Sequence, residues 1–428
     1  MTDPTTGAST RSGNGARPAL RPGRRSEAVA RQHSLRQHNL GVALRHVLDA
    51  PTPVSRADIA GATGLTRATV SALVDRLLAL DLVTELEPVA SQRAGRPAVP
   101  LVPARGTVAA VGMEVNVDYL GVRAVDLAGE VVAEHVEHGD FRGSVPDVVL
   151  DRLAGLAGQV VARLSADGVA LAGAALALPG LVDDVTGPLR TAPNLGWRDA
   201  DVVGLLTQHP VLAGLPPRLG NEANLAAGAE ARARRLTGPS SFVYVSGEVG
   251  VGGAIVLDGQ IFGGRHGWSG EIGHTSLGTA GAFDEGGSLE SYAGQDAILR
   301  RAGLDRAEPL ESLLAAAQAA DPAAVEALRV AGAALGVALA NVVNVVDVEQ
   351  VVLGGIYAEL APHLAGAVSE QLGRRVISAA WSSVEVSVAQ AGRYPAMTGG
   401  ALSVLQALVD DPAGWAGEDA VVPVPAEV

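Results

Sequence analysis

The chain has 428 residues, 48% of them apolar and 18% charged, and it contains no cysteine. That composition excludes a single small scaffold, global disorder, a disulfide framework, a thiol nucleophile and any zinc site built on thiolates. The net charge of −14 is unevenly spread: residues 1–105 hold 14 Arg against 8 Asp and Glu (+6), and the remainder holds 18 against 38 (−20). A basic head on an acidic body implies a polyanion partner for the head alone, and with aromatics at 3% duplex DNA is favoured over single strands.

Residues 1–33 are rich in Gly, Ser, Thr, Pro and Arg, a composition expected to stay disordered as a basic arm. A first helix is expected from Ser34 to Leu48, stopped by Pro51 and Pro53. Ser55 and Asp58 fit a capping box for a short second helix that Gly64 ends. Thr66 caps a third helix, where Val70, Leu73, Val74, Leu77 and Leu78 form one apolar stripe. Two helices joined by a tight turn are the helix-turn-helix arrangement, and the second would enter the major groove. Thr66, Arg67, Thr69, Ser71 and Arg76 are its candidate DNA contacts. Ser91 to Pro97 then reads as a wing, with Arg93 and Arg96 candidates for backbone and minor-groove contact. Residues 34–105 are thus expected to be a winged helix-turn-helix domain whose removal leaves a folded body.

The pattern changes at Val108 to short β-rich runs, Val108–Val115, Leu120–Asp126 and Glu130–His135. A helix over Val145–Leu164 and a strand over Gly173–Leu178 follow, so the body is α/β. Neither a GxGxxG turn after the first strand nor a GxxxxGK[ST] loop occurs, and there is no Lys at all, which removes classical dinucleotide and P-loop readings. No 18-residue uninterrupted apolar run and no apolar leader are present, so a cytoplasmic protein with no membrane contact is the expectation.

Four segments then occur in order: Leu178-Pro179-Gly180-Leu181-Val182-Asp183; Ala192-Pro193-Asn194-Leu195-Gly196-Trp197; Asn221-Glu222-Ala223-Asn224; and Gly267-Trp268-Ser269-Gly270-Glu271-Ile272-Gly273-His274. Together with the winged helix they resemble the ROK family of repressors, open reading frames and sugar kinases, in its xylose-repressor-type branch. The resemblance implies an actin-like, ribonuclease-H-like body of two α/β lobes, residues 106–221 with a C-terminal helix at about 396–410, and residues 222–395, followed by a tail over 411–428. It also implies a sugar in the cleft between the lobes, bound by Asn221, Glu222, Glu271, His274 and Glu290. Carboxylates, an amide and an imidazole suit hydroxyl groups, which donate and accept in pairs.

Many members of the family hold zinc through a Cys-rich cluster after this His, and here Ala280 to Ser288 contains none, so no metal is expected. The family's kinases receive ATP phosphates on an Asp-Gly-Gly-Thr turn, where this chain has Glu114-Val115-Asn116-Val117-Asp118, and on a second Gly-rich turn that here carries Glu248. Added carboxylates oppose an anionic nucleotide, so neither phosphoryl transfer nor any cofactor is expected. The sequence therefore reads as a sugar-responsive transcriptional regulator, a repressor of carbohydrate-use genes that is homodimeric or homotetrameric and binds duplex operator DNA and a sugar or sugar-phosphate effector. An ATP-dependent sugar kinase with a DNA-binding head, or a constitutive regulator with a dead ligand site, is the alternative.

Overall fold

The computed structural model describes residues 24–88, 98–183, 188–278 and 287–415, with side chains from Leu35 onward. Helix α1 (Arg24–Asp49) begins ten residues before the expected Ser34, inside the segment expected to be disordered. Arg, Glu and Ala are strong helix formers, and a helix nucleated further along extends into them at little cost. After Pro51 and Pro53, β1 (Val54–Ser55) leads into α2 (Arg56–Thr63). There Ser55 Oγ accepts the Asp58 N–H at 3.3 Å while the Asp58 carboxylate takes the Ser55 N–H at 2.8 Å, closing the expected capping box. Gly64 ends α2 with φ of 72°, a left-handed turn that glycine adopts without strain. In α3 (Arg67–Ala79), Thr66 accepts the Thr69 N–H at 3.2 Å, and Val70, Val74 and Leu77 are buried. Strands β2 (Val83–Glu85) and β3 (Pro100–Pro103) pair antiparallel, with β1 on the far side of β3, as the base of a wing. The tip of that wing, with Arg93 and Arg96, lies outside the described residues.

The body opens with an antiparallel meander of β4 (Val108–Val115), β5 (Tyr119–Asp126) and β6 (Val131–His138). Helix α4 (Pro146–Ala166) follows, then β7 (Ala170–Leu178), parallel to β4. Strands β8 (Leu181–Val182), β9 (Leu189–Ala192) and β10 (Trp197–Ala200) make a small separate sheet. Past α5 (Val202–Leu206), β11 (Arg218–Asn221) joins the main sheet in the order β11-β7-β4-β5-β6, and α6 (Glu222–Arg234) continues from it. The second five-stranded sheet contains β12 (Phe242–Gly247), β13 (Val251–Leu257) and β14 (Gln260–Ile261). Helices α7 (Glu290–Ala293), α8 (Gln295–Arg301), α9 (Leu310–Gln318) and α10 (Pro322–Val346) follow. Strand β15 (Gln350–Gly355), α11 (Ile356–Arg375) and β16 (Glu385–Val388) complete the order β14-β13-β12-β15-β16. The chain then returns to the first sheet through α12 (Pro395–Asp410), close to the helix expected there.

Strand β4 is buried along its whole length, as a strand covered on both faces must be. Ala109, Val111, Met113 and Val115 face the core under α4, and Val108 and Ala110 face α12. Gly112 lets α12 settle there, since a Cβ at that position would lie 1.8 Å from the Met397 carbonyl oxygen. Among the described residues α10 alone is long and apolar enough to cross a membrane, and 72% of its apolar window is buried against the protein.

Two expectations are corrected by this packing. Residues 411–415 are not tail: Pro412–Trp415 form a short helix, α13, whose Ala413 and Trp415 pack against the head. Nor is the head a separable bead. Leu40, Leu44, Val47, Val70, Val74, Leu77 and Leu82 share one apolar cluster with Val108, Val125, Val404, Leu405 and Leu408 of the body, so deleting residues 1–105 would expose the outer face of α12.

Candidate functional site

The C-terminal ends of β7, β11 and β12 open on one cleft, the position where α/β sheets commonly hold ligands. Asn221, Glu222, Glu271, His274 and Glu290 all line it, around a cavity of about 70 Å³. Asn221 is the N-cap of α6: its Oδ1 accepts the Asn224 N–H at 3.0 Å, and its Nδ2 donates to the Gly180 carbonyl at 3.0 Å. Both ends of that amide therefore brace the scaffold, tying the Leu178–Gly180 turn to the helix. Glu222 is the first residue of α6, where the helix dipole favours a negative charge.

Glu271 precedes and His274 ends a short 3-10 turn, Ile272–His274, anchored by buried Ile272. Gly270 precedes it with φ of 98° and lies so close to β13 that a Cβ would sit 2.4 Å from the Gly253 carbonyl oxygen. Only glycine brings Glu271 into the cleft along this path. Glu290 opens α7, and its carboxylate accepts the Val251 N–H at 3.0 Å.

Four further residues belong to the site and are absent from the candidates read off the sequence. Asn194 lines the cleft beside Glu290, the two meeting over Gly250. Glu248 also lines it and accepts a hydrogen bond from Asn116, while Asn116 also donates to Glu114 at 3.4 Å. Glu114 is 1% exposed, and its second oxygen has no partner among the described residues. Asn194 stands in a recognised motif, which is a legible signal. The grouping of Glu114 with Glu248 is not, because it exists only after two strands 132 positions apart come together.

Burial dominates the electrostatics. Loss of hydration and the nearby Glu248 push Glu114 up to about 8, and burial raises Glu248 to about 7 against the lowering effect of Asn116. Glu222 is raised well above the carboxylate range by burial and by Glu248, Glu114 and Glu271. Glu271 is raised by burial, opposed by His274. Near neutral pH Glu248 is divided between its protonated and ionised forms, so it offers the cleft a donor as well as an acceptor. Asp118, expected to face a bound nucleotide, is half exposed and pairs with Arg142 at 3.5 Å. Most of the Ala280 to Ser288 segment lies outside the described residues, and no cluster of three or more His, Cys, Asp or Glu able to hold a metal occurs among the described ones.

In the head, Arg67 and Arg76 project from α3 into solvent and form no ion pair among the described residues. Thr66 and Thr69 are hydroxyl partners at 2.9 Å, and Ser71 is half-buried. Asp75, the acid on this outward face, is neutralised by Arg56 at 2.8 Å. The surface of α3 is thus left with cationic and hydroxyl groups.

Helix α6 links the two regions. It starts in the cleft and runs about 20 Å to its C-terminus, where Arg232 pairs with Asp49 of α1 at 2.6 Å and donates to the Leu48 carbonyl at 3.2 Å. Arg235 reaches the same carbonyl at 3.4 Å, and Arg45 of α1 pairs with Asp410 of α12 at 2.5 Å. A second, larger groove lies under this joint, bordered by Arg45, Asp49, Arg232, Phe242, Ile261 and Gln406.

The ROK family profile matches residues 110–407 and a MarR family profile matches residues 42–96. The xylose repressor of Bacillus spizizenii is 25% identical over 386 residues, spanning 89% of this chain and 98% of the repressor. Among solved structures, a ROK family transcriptional regulator described as a homologue of the E. coli MLC protein is 26% identical, with a TM-score of 0.71 over 88% of this chain and 97% of its own. A ROK family glucokinase from Streptomyces griseus, solved with glucose and AMPPNP, has a TM-score of 0.59 at 21% identity, covering 70% of this chain and 99% of its own.

Proposed function

The chain belongs to the ROK family, and from that premise we propose that it is a sugar-responsive transcriptional regulator, a repressor that releases operator DNA when a sugar fills the cleft. The observation that carries this reading is the extent of the likeness. The regulators match through head and body alike, whereas the glucokinase matches 70% of the chain. In this reading Arg67 and Arg76 meet the major groove, Arg93 and Arg96 belong to the wing, and Glu222, Glu271, His274 and Glu290 hold the sugar over the scaffold amide of Asn221. The head spans residues 34–105 and the lobes 106–221 with α12 and 222–395. A single winged helix reads too few base pairs for specificity, so a homodimer or homotetramer presents two heads to the DNA.

Effector and operator couple through unequal affinity for two states of the protein. Lobe closure around a sugar would pull on Glu222 at one end of α6, and the Arg232–Asp49 pair at the other end passes that movement to α1. The kinase likeness favours a second reading, ATP-dependent sugar phosphorylation. Against it stands Glu248 in one of the two turns where ATP phosphates would lie, with no lysine to offset it, while Asp118 in the other is paired with Arg142. Fluorescence anisotropy of the purified protein on DNA from its own upstream region, with and without a panel of sugars, tests the proposal. Sugar-dependent release supports it, binding that no sugar changes favours a constitutive regulator, and ATP consumption on the same panel favours the kinase.

A further inference from the structure

We propose that the cleft admits only sugars without an anionic substituent, and that Glu248 is the residue that enforces this selectivity. The inference rests on the sugar-binding reading above and narrows its ligand class. Glu222, Glu248, Glu271 and Glu290 reach the cleft from four separate segments, and no arginine is among the lining residues. Among the described residues the one basic lining side chain, His274, is exposed and stands beside Glu271. The Arg142 guanidinium, outside the lining, is held by Asp118 at 3.5 Å and Asp140 at 3.2 Å.

Three backbone N–H groups of the two turns, the other means of binding a phosphate, are already engaged. The Val251 N–H donates to the Glu290 carboxylate at 3.0 Å, the Glu248 N–H to the Gly250 carbonyl at 2.8 Å, and the Asp118 N–H to Asn116 Oδ1 at 3.1 Å. At the start of α6, where a helix N-terminus would attract an anion, Glu222 stands instead. The protein's own carboxylates thus occupy the places a phosphate needs. A neutral hydroxyl meets no such conflict: Glu248, raised to about 7, can donate to it when protonated and accept from it when ionised. Glu248 matters most because it joins the two turns of the cleft through Asn116.

Calorimetric titration of the full-length protein with xylose, glucose, mannose and N-acetylglucosamine, each beside its own phosphate ester, is the test. At least one parent sugar should bind, with its ester about 100-fold weaker or undetectable, and Glu248→Gln, which keeps shape and removes the charge, should shrink that gap about tenfold. An ester that binds as tightly as its parent overturns the inference while leaving the sugar reading intact. A gap unchanged in Glu248→Gln removes Glu248 from the role, and silence from all eight compounds removes the sugar reading and this inference with it.

Discussion

Asn116, just beyond β4, donates its side-chain amide to Glu248, just beyond β12, and this bond joins the two main sheets across the cleft. The pair ties the separation of the sheets to a carboxyl group that titrates close to neutrality.

Glu248 and Glu114 keep their protons to about pH 7 and about pH 8 in the folded protein, against an ordinary value of 4.5. Between roughly 4.5 and 8 the folded state therefore binds more protons than the unfolded chain, and the contribution of these groups to stability falls as pH rises. Asp118 adds to the resistance of Glu248 to ionisation, and Glu248 in turn raises Glu114 and Glu222. Glu248→Gln should flatten the decline in Tm from pH 6 to pH 8 and leave the variant a few degrees more stable at pH 8, read by differential scanning fluorimetry. Parallel curves for the two proteins would mean that Glu248 does not titrate in this interval.

Gly250 bears directly on the effector. A Cβ there would come within 2.6 Å of the Glu290 carboxylate and 3.1 Å of the Asn194 amide, and the flexible Glu290 would swing aside. Gly250→Ala should thus weaken sugar binding at least tenfold with operator affinity unchanged, the outcome expected also of Glu271→Ala and His274→Ala. Operator titrations with and without sugar separate the two effects, and loss of DNA binding in Gly250→Ala would indicate wider damage.

For the head, Arg67→Ala should change which operator sequences bind, because this side chain starts the recognition helix and forms no ion pair among the described residues. Arg96→Ala should weaken binding more evenly. Thr66→Ala removes the cap of α3 and should cost about 1 kcal/mol of head stability. Binding to a randomised operator library, followed by sequencing, distinguishes a changed preference from uniform weakening.

Coupling is tested at the far end of α6. Replacing both Arg232 and Arg235 with Ala cuts the ties to Asp49 and the Leu48 carbonyl but touches neither the cleft nor α3. A normal coupling of about 1–3 kcal/mol moves operator affinity 5- to 150-fold at saturating sugar. The double variant should lose most of that shift while retaining both separate affinities. A full response would place the route elsewhere, with α12 the next element to examine.

Much of the head is legible because its signals are local: Ser55 with Asp58, Gly64, and Thr66 with Thr69 each lie within a few residues of their effect. Ordered motifs single out Asn221, Glu222, Glu271 and His274, which the fold brings to one cleft, although Asn221 braces the scaffold with both ends of its amide. What escaped the sequence is long-range. The Asn116–Glu248 bond, the Arg232–Asp49 pair and the burial of head residues against α12 depend on segments far apart in the chain, where residue type alone does not name a partner. The early start of α1 escaped for a different reason: composition suggested disorder, and helix propensity together with extension from a formed helix outweighed it.

The apolar cluster that Leu44, Val74 and Leu77 share with Val404, Leu405 and Leu408 has a consequence for the DNA. A head on a slack linker could follow half-sites placed at many separations, whereas a head bedded in its own body holds α3 at a set distance and angle. In an assembly carrying two heads, the geometry of the bodies would then act as a ruler. Half-sites would be tolerated at separations matching whole turns of the duplex, about 10 base pairs apart or multiples of it, and inserting five base pairs between them would rotate one site to the far side of the helix.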